Sequence, residues 1–465
     1  MTGGNATAEL LARYDRPGPR YTSYPTAVEF HQGVQEAAYR SHLSQANAHS
    51  DEPVSMYVHL PFCEARCSFC GCNVVITRHR DIAARYLDYL DREIDMLAAA
   101  LPLRRQVSQL HWGGGTPTYY EAKQLQRVFE RINRHFRFTE NAEIGIEIDP
   151  RVTSMAQLEV LRNAGFNRLS LGVQDFSPQV QEAVNRVQSF ELTRDQIEGA
   201  RALGFASINV DLIYGLPYQT VASFARTLEQ VLTLRPHRVA VYSFAFVPWI
   251  RAHMKHLPQE ALPSAALKLE LLAVTIDAFS ASGYLQIGMD HFALPDDELA
   301  RASQVNALHR NFMGYTVQTA RDMVALGVSG IGDIQSGFFQ NFKKLSDYYA
   351  ALGAGHFPIE RGYVLDADDV LRRHVITRLM CNLRLDVRQT EKSFEIDFAR
   401  YFAAELSELT GPDSTATDGL VRVSADSIEV TSIGRLFVRN VCMVFDRYLR
   451  GRTQPGTLPV FSRTV

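Results

Sequence analysis

Four of the six cysteines in this chain fall between Cys63 and Cys72. The run Cys63-Glu64-Ala65-Arg66-Cys67-Ser68-Phe69-Cys70 sets three thiols at spacings of four and three. Such a group reads as a metal or cluster site, because a disulfide framework spreads its cysteines. Thiolates suit iron–sulfur clusters. A four-iron cluster held by Cys63, Cys67 and Cys70 leaves one iron free for a small ligand. The alternative is zinc on all four cysteines, Cys72 included. Structural zinc draws on two separated ligand pairs. No second pair follows here, and Gly71 alone separates Cys70 from Cys72. The spacing favours the cluster. Cys381 and Cys442 stand alone in apolar surroundings and read as core residues.

Other polar groups interrupt apolar runs. Gly113, Gly114 and Gly115 let backbone approach a ligand closely, or form a tight turn at a strand end. Glu147 breaks an apolar strand; it accepts from a ribose or amino group, or is salt-bridged at an edge. Asp211 reads the same way. Arg186 either grips a carboxylate with two donors or lies exposed on a helix. His59 is either close to the cluster or a satisfied strand histidine.

Except for Arg186, which lies on a segment beyond Gln174, these groups sit in or at the end of short apolar, β-rich runs. The runs are Met56–Leu60, Gln109–Trp112, Ile144–Ile148, Arg168–Val173, Ile208–Ile213 and Val239–Phe244, with amphipathic helices such as 86–101, 121–135 and 155–164 between them. Alternation of this kind predicts an α/β fold with a parallel sheet covered by helices. Six units predict a partial six-stranded parallel β/α, TIM-like barrel with active residues at the C-terminal strand ends. An N-terminal extended segment (1–50) carries Gly18-Pro19-Arg20-Tyr21-Thr22-Ser23-Tyr24-Pro25, whose prolines disfavour helix. The catalytic domain spans 51–363. A small C-terminal domain (364–465) has helices at 368–380, 394–409 and 432–448 and two short strands, 419–423 and 427–430. That pattern is winged-helix-like, but no basic recognition helix stands out.

Of 465 residues, 46% are hydrophobic, enough for one large core and smaller companions. A net charge of -3 argues against nucleic acid as partner. No run of about 18 apolar residues predicts a membrane span, and Met1 to Leu11 lack a secretory pattern. The expectation is a cytoplasmic protein with reduced thiols, and a monomer.

The three-cysteine loop resembles the signature of the radical S-adenosylmethionine superfamily. With Gly71-Cys72-Asn73, His111-Trp112-Gly113-Gly114-Gly115-Thr116-Pro117, Glu147-Ile148-Asp149-Pro150, Gly172-Val173-Gln174-Asp175, Asn185-Arg186, Asp211-Leu212-Ile213-Tyr214-Gly215-Leu216-Pro217 and His309-Arg310-Asn311, it resembles one family within it, the oxygen-independent coproporphyrinogen III oxidases. The likeness runs from Arg20 to Arg463. Cys72 and the leader favour this family over related haem chaperones. The resemblance implies one [4Fe–4S] cluster and two S-adenosylmethionine molecules. The first lies against Tyr57, Gly114, Glu147 and Ile331. The second lies against Phe69, Gly115, Thr116, Gln174, Arg186, Asp211 and Ala245. Tyr57, His59, Cys72, Glu147 and Arg186 are the implied catalytic set. Where the family often has Tyr-Ala-His, this chain has Phe244-Ala245-Phe246. The implied reaction turns two propionates of coproporphyrinogen III into vinyl groups, giving protoporphyrinogen IX, with electrons from a donor such as flavodoxin or ferredoxin. Arg20, Tyr24, Arg310 and Tyr315 are candidates for the substrate's carboxylates. Alternatives are a radical methyltransferase, a haem-degrading enzyme or a haem-binding chaperone of the same superfamily.

Overall fold

In the computed structural model of the chain, residues 4–318, 320–450 and 461–464 are described. Residues 1–3, 451–460 and 465, which belong to the two flanking segments drawn from sequence, lie outside them. All six expected strands are present: β1 (Val54–Leu60), β2 (Gln106–Gly114), β3 (Arg137–Ile148), β4 (Arg168–Gln174), β5 (Ser207–Tyr214) and β6 (Arg238–Ser243). Each pairs in parallel with the next. The sheet continues past them. Beyond β6 come β7 (Leu285–Ile287) and β8 (His291–Ala293), antiparallel. On the other edge β9 (Met323–Leu326) runs parallel to β1, followed by the antiparallel β10 (Ile331–Ile334), β11 (Gly337–Asn341) and β12 (Ile359–Val364). The result is one 12-stranded sheet in the order β12-β11-β10-β9-β1-β2-β3-β4-β5-β6-β8-β7. The additions are three to six residues long, too short to carry a periodic signal.

Period-two alternation decides which side of each strand meets the helices. On β4, Leu169, Leu171 and Val173 join the main core while Arg168, Ser170, Gly172 and Gln174 face the other way. Ile144, Ile146 and Ile148 alternate likewise with Glu143, Gly145 and Glu147, and Val210 and Leu212 with Asn209 and Asp211. One face is thus apolar and helix-covered; the other is lined by polar groups. The helix Ala122–His135 illustrates the covering layer. Its Leu125, Val128, Phe129 and Ile132 are buried at helical spacing, and Glu121 with Gln124 forms a capping box. Burying each such side chain contributes roughly 1.5–3 kcal/mol.

The flanking segments differ in detail from the sequence reading. Gly18–Pro25 is non-helical as expected, but helices Gly4–Tyr14 and Glu36–Asn47 stand on either side of it. In the C-terminal part, the span 394–409, expected as one helix, holds two, Phe398–Tyr401 and Ala403–Thr410, after a helix Val387–Phe394 that ends where the expected one begins. Glu395 adopts a left-handed φ of 54°, and Asp397 caps a new start on Arg400 N. The last helix is only Val438–Val444, after a 3-10 turn. A strand at Arg384–Asp386 joins the two expected short ones. Cys381 and Cys442 are buried in a core that this module shares with Tyr21 and Tyr24 of the leader and with Ile287, Leu299 and Leu308. Its helix Val438–Val444 holds the leader: Arg439 Nε donates to Pro19 O at 2.9 Å, and Asn440 Nδ2 to Tyr14 O at 2.8 Å. No helix among the described residues is long and apolar enough to cross a membrane.

Candidate active site

The cysteine loop opens directly from β1. Its base is closed by a parallel bridge between Phe62–Cys63 and Val75–Ile76 and by Val75 N donating to Pro61 O at 2.8 Å. Its crown is tied down by Ser68 N to Val184 O at 2.9 Å, Asn185 Nδ2 to Arg66 O at 2.8 Å, and the His253 ring to Cys70 O at 2.9 Å. Cys63, Cys67, Cys70 and Cys72 all line one open cavity of about 510 Å³. Cys63 Sγ lies 3.3 Å from Thr116 Oγ1. Cys67 Sγ accepts from Arg151 Nη2 at 3.7 Å and Arg186 Nη1 at 3.6 Å. Three soft donors on one wall, with cations behind one of them, fit an anionic thiolate-ligated cluster.

Beside the loop, β2 ends in the glycine shelf. A Cβ on Gly113 would stand 2.9 Å from the Glu147 carboxyl carbon, one on Gly114 2.6 Å from the His59 ring, and one on Gly115 2.5 Å from the Pro61 carbonyl carbon. Gly114 also has φ +114°, which side chains rarely adopt. Gly114 N–H donates to Glu147 Oε2 at 3.4 Å, and the His111 ring lies 3.5 Å from Oε1. Burial pushes the Glu147 carboxyl up, but His111 and the Gly114 N–H outweigh it and hold it below the ordinary range. Burial lowers the His59 pKa, so the ring is neutral. Its Nε2–H donates to Asn73 O at 2.9 Å, which leaves Nδ1 to accept from the Tyr57 hydroxyl at 3.1 Å. His59 is the satisfied strand histidine of one reading and a neighbour of the cysteine loop, as in the other.

The far wall carries Ser170, Gly172, Gln174, Arg186 and Asp211. Asp211 accepts from Ser170 Oγ at 3.1 Å and Asn209 Nδ2 at 2.8 Å. Burial, then the charge of Glu147, raises it to about 6. Arg186 is buried, not an exposed helix arginine. It donates to Asp149 Oδ2 at 3.0 Å and Gly172 O at 2.7 Å, and its Nε has no hydrogen-bond partner. Phe69 packs with Phe244 and Phe246 in an apolar group beside the cavity, and Ala245 lies between the two phenylalanines.

The remaining candidates lie elsewhere. Ile331 packs with Phe30, Phe312 and Phe338, away from the lining of this cavity. Arg20 donates to Ser243 O at 2.7 Å, at the end of β6, and Arg310 Nη1 donates to Arg20 O at 2.7 Å. Arg310 stands 5.2 Å over the Tyr315 ring. Tyr24, 2% exposed, packs on Tyr448. Arg310 and Tyr24 border a second cavity of about 200 Å³. Tyr315 borders a third, about 120 Å³, which Glu147 and Asp211 also line. Sequence reasoning missed His111, Asp149 and Arg151. Their signal was parity: His111 shares the inward phase of Gly113, and Asp149 directly follows the strand whose alternation exposes Glu147.

Comparison with known proteins follows the same lines. The profile of the Radical SAM superfamily matches residues 57–231, and that of the HemN C-terminal domain matches residues 365–437. The oxygen-independent coproporphyrinogen III oxidase of Escherichia coli (strain K12) is 47% identical over 456 residues, covering 98% of each chain. The protein of that name from Pseudomonas aeruginosa is 46% identical over 444 residues, 95% of this chain and 96% of its own. The solved structure of coproporphyrinogen III oxidase (HemN) from Escherichia coli, described as a Radical SAM enzyme, superposes with a TM-score of 0.89 at 46% identity. It covers 92% of this chain and 97% of that one.

Proposed function

The chain belongs to the oxygen-independent coproporphyrinogen III oxidases of the radical S-adenosylmethionine superfamily, and on that premise we propose that it converts coproporphyrinogen III to protoporphyrinogen IX by anaerobic oxidative decarboxylation of two propionates. The observation that carries this is the single cavity shared by three loop thiols, the glycine shelf and the polar strand ends.

A [4Fe–4S] cluster and S-adenosylmethionine belong to the superfamily. Cys63, Cys67 and Cys70 would hold the cluster. Gly114 and Glu147 of the cavity lining, with Tyr57 and Ile331 outside it, would hold the first S-adenosylmethionine: backbone approaches closely where no Cβ stands, and an ionised Glu147 accepts hydrogen bonds. When bound, these groups supply one electron and a carbon radical that takes hydrogen from the propionate. The protein's part is orientation and exclusion of water. Phe69 lines the cavity, and Phe244 and Phe246 pack with it in the apolar group beside the cavity. The Cys72 Sγ–H faces the reaction space.

A second S-adenosylmethionine sits against Phe69, Gly115, Thr116, Gln174, Arg186, Asp211 and Ala245. What supports it is a surplus of polar groups: the unpartnered Arg186 Nε and the carboxylate of Asp211 on the wall opposite the shelf. Arg20 and Arg310, joined by a hydrogen bond, are the cations for substrate carboxylates, with Tyr24 and Tyr315 packed nearby. The electron donor is a low-potential carrier such as flavodoxin or ferredoxin; the enzyme works as a cytoplasmic monomer without nucleic acid or membrane.

Anaerobic, reduced holoenzyme given coproporphyrinogen III and S-adenosylmethionine tests the reading. Protoporphyrinogen IX and 5′-deoxyadenosine are the expected products. A methylated or ring-opened product, or a bound but unchanged tetrapyrrole, overturns it. Equilibrium binding separately counts S-adenosylmethionine. Saturation at one equivalent overturns the two-molecule site.

A further inference from the structure

Two guanidinium groups converge on one sulfur of the cysteine loop. Arg151 Nη2 lies 3.7 Å and Arg186 Nη1 3.6 Å from Cys67 Sγ. Cys63 meets a neutral hydroxyl instead, Thr116 Oγ1 at 3.3 Å. A single carboxylate organises both cations. Asp149 Oδ1 accepts from Arg151 Nε at 3.0 Å, and Oδ2 accepts from Arg151 Nη2 at 2.6 Å and from Arg186 Nη1 at 3.0 Å. Oδ1 also accepts from the Arg151 backbone N–H at 3.1 Å, a local turn that fixes the arginine's origin. Asp149 and Arg186 are both 7% exposed, and the Arg151 side chain is 24% exposed. In such surroundings charges are weakly screened.

Within the cluster-bearing reading above, we propose that Arg151 is a positioning residue for Cys67, and that through this contact it raises the reduction potential of the cluster ligated there.

The argument is electrostatic. Two cations and one anion leave one net positive charge against Cys67. A thiolate-ligated cluster gains negative charge when it takes up an electron. Donors and positive charge at its sulfurs therefore favour the reduced form, and such hydrogen bonds are among the levers that set cluster potentials. Arg186 also donates to Gly172 O, whereas among the described residues the Arg151 side chain is bonded only to Asp149 and Cys67. Arg151 is thus the residue whose removal changes the sulfur's surroundings and leaves the far wall in place. Asp149 opposes it by charge. That opposition makes the proposal separable from a structural role.

The test is a redox titration, followed by electron paramagnetic resonance, of anaerobically reconstituted wild type, Arg151→Gln, Arg151→Lys and Asp149→Asn, each with iron analysis and circular dichroism. Arg151→Gln retains four irons and its potential falls by about 59 mV, a tenfold shift of a one-electron equilibrium against the reduced cluster. Arg151→Lys recovers more than half of that shift. Asp149→Asn shifts the potential the other way, because it removes the anion. An Arg151→Gln cluster at the wild-type potential overturns the proposal. So do shifts of the same sign in Arg151→Gln and Asp149→Asn, or iron loss from folded Arg151→Lys, since each marks a structural role. Failure of the functional reading is distinct: wild type then holds no cluster or makes no protoporphyrinogen.

Discussion

Tyr57 and His59, two residues apart on β1, share one face of the strand, and the Tyr57 hydroxyl donates to His59 Nδ1 at 3.1 Å. The other ring nitrogen donates to Asn73 O, just past Cys72, so one imidazole ties the strand to the cysteine loop. His59→Phe keeps the ring's bulk and removes both bonds. It is expected to cost roughly 1–3 kcal/mol of stability, the price of leaving buried polar groups unpaired, and to weaken S-adenosylmethionine binding. Denaturant unfolding and anaerobic binding assays measure the two. Unchanged binding would show that the tie does not shape the cofactor site.

Glycine substitutions separate the shelf from the loop. Gly114→Ala places a Cβ 2.6 Å from the His59 ring at a φ of +114°, so it is expected to abolish most turnover and lower the Tm. Gly71→Ala, although it sits between Cys70 and Cys72, meets nothing within 4 Å. It is expected to keep its iron and at least half its activity. Equal damage in both variants would contradict the shelf as the tighter constraint.

Cysteine variants divide by iron content. Cys63→Ser, Cys67→Ser and Cys70→Ser are each expected to lose the cluster. Cys72→Ser is expected to keep about four irons and lose at least ten-fold in turnover, because Cys72 lines the cavity outside the proposed set of three ligands. Iron-free Cys72→Ser protein would make that residue a ligand or a structural necessity.

Asp211 gives a pH signature. Its carboxyl is raised to about 6 by burial and by the charge of Glu147. Only the ionised form is a pure acceptor. Affinity for the proposed second S-adenosylmethionine is therefore expected to fall as the pH drops through about 6, and to be flat in Asp211→Asn. Stability runs the opposite way. A carboxyl whose folded pKa lies above its unfolded value near 3.9 binds its proton more tightly when folded. The ligand-free protein thus loses stability as the pH rises between those values, and keeps that loss above about 6. Calorimetry across pH 4–7 checks both signs; a pH-independent second binding event would remove Asp211 from the site.

The six parallel strands were legible because each carries a short β-branched or apolar run, with helical stretches between them. The polar tips were legible because alternation puts Glu147 and Asp211 opposite the core. Other features left no such trace. The strands from β7 to β12 are three to six residues long, too short for a periodic signal, and β8 and β9 join the sheet through β6 and β1, partners distant in sequence. The break at Glu395 depends on a left-handed residue that its side chain does not announce. Asp149 was read only as part of a motif, and its role appears only when Arg151, Arg186 and Cys67 are seen around it. The loop thiols, by contrast, lie so close in sequence that no fold was needed to group them.

The stitching of the leader to the end of the chain bears on how the protein is made. Arg16 N–H donates to Thr464 Oγ1 across 448 positions, and Arg439 holds Pro19 O across 420. Ribosomes extend a chain at about 5–20 residues per second. Residues 16 and 19 thus wait roughly 20–90 s for these partners, while the strands from β1 onward already have neighbours. Throughout that interval Arg16 and Pro19 lack those partners, whereas Arg20 meets Ser243 at the end of β6 and then Arg310 well before residues 439 and 464 emerge, so the leader is seated from its Arg20 end backward.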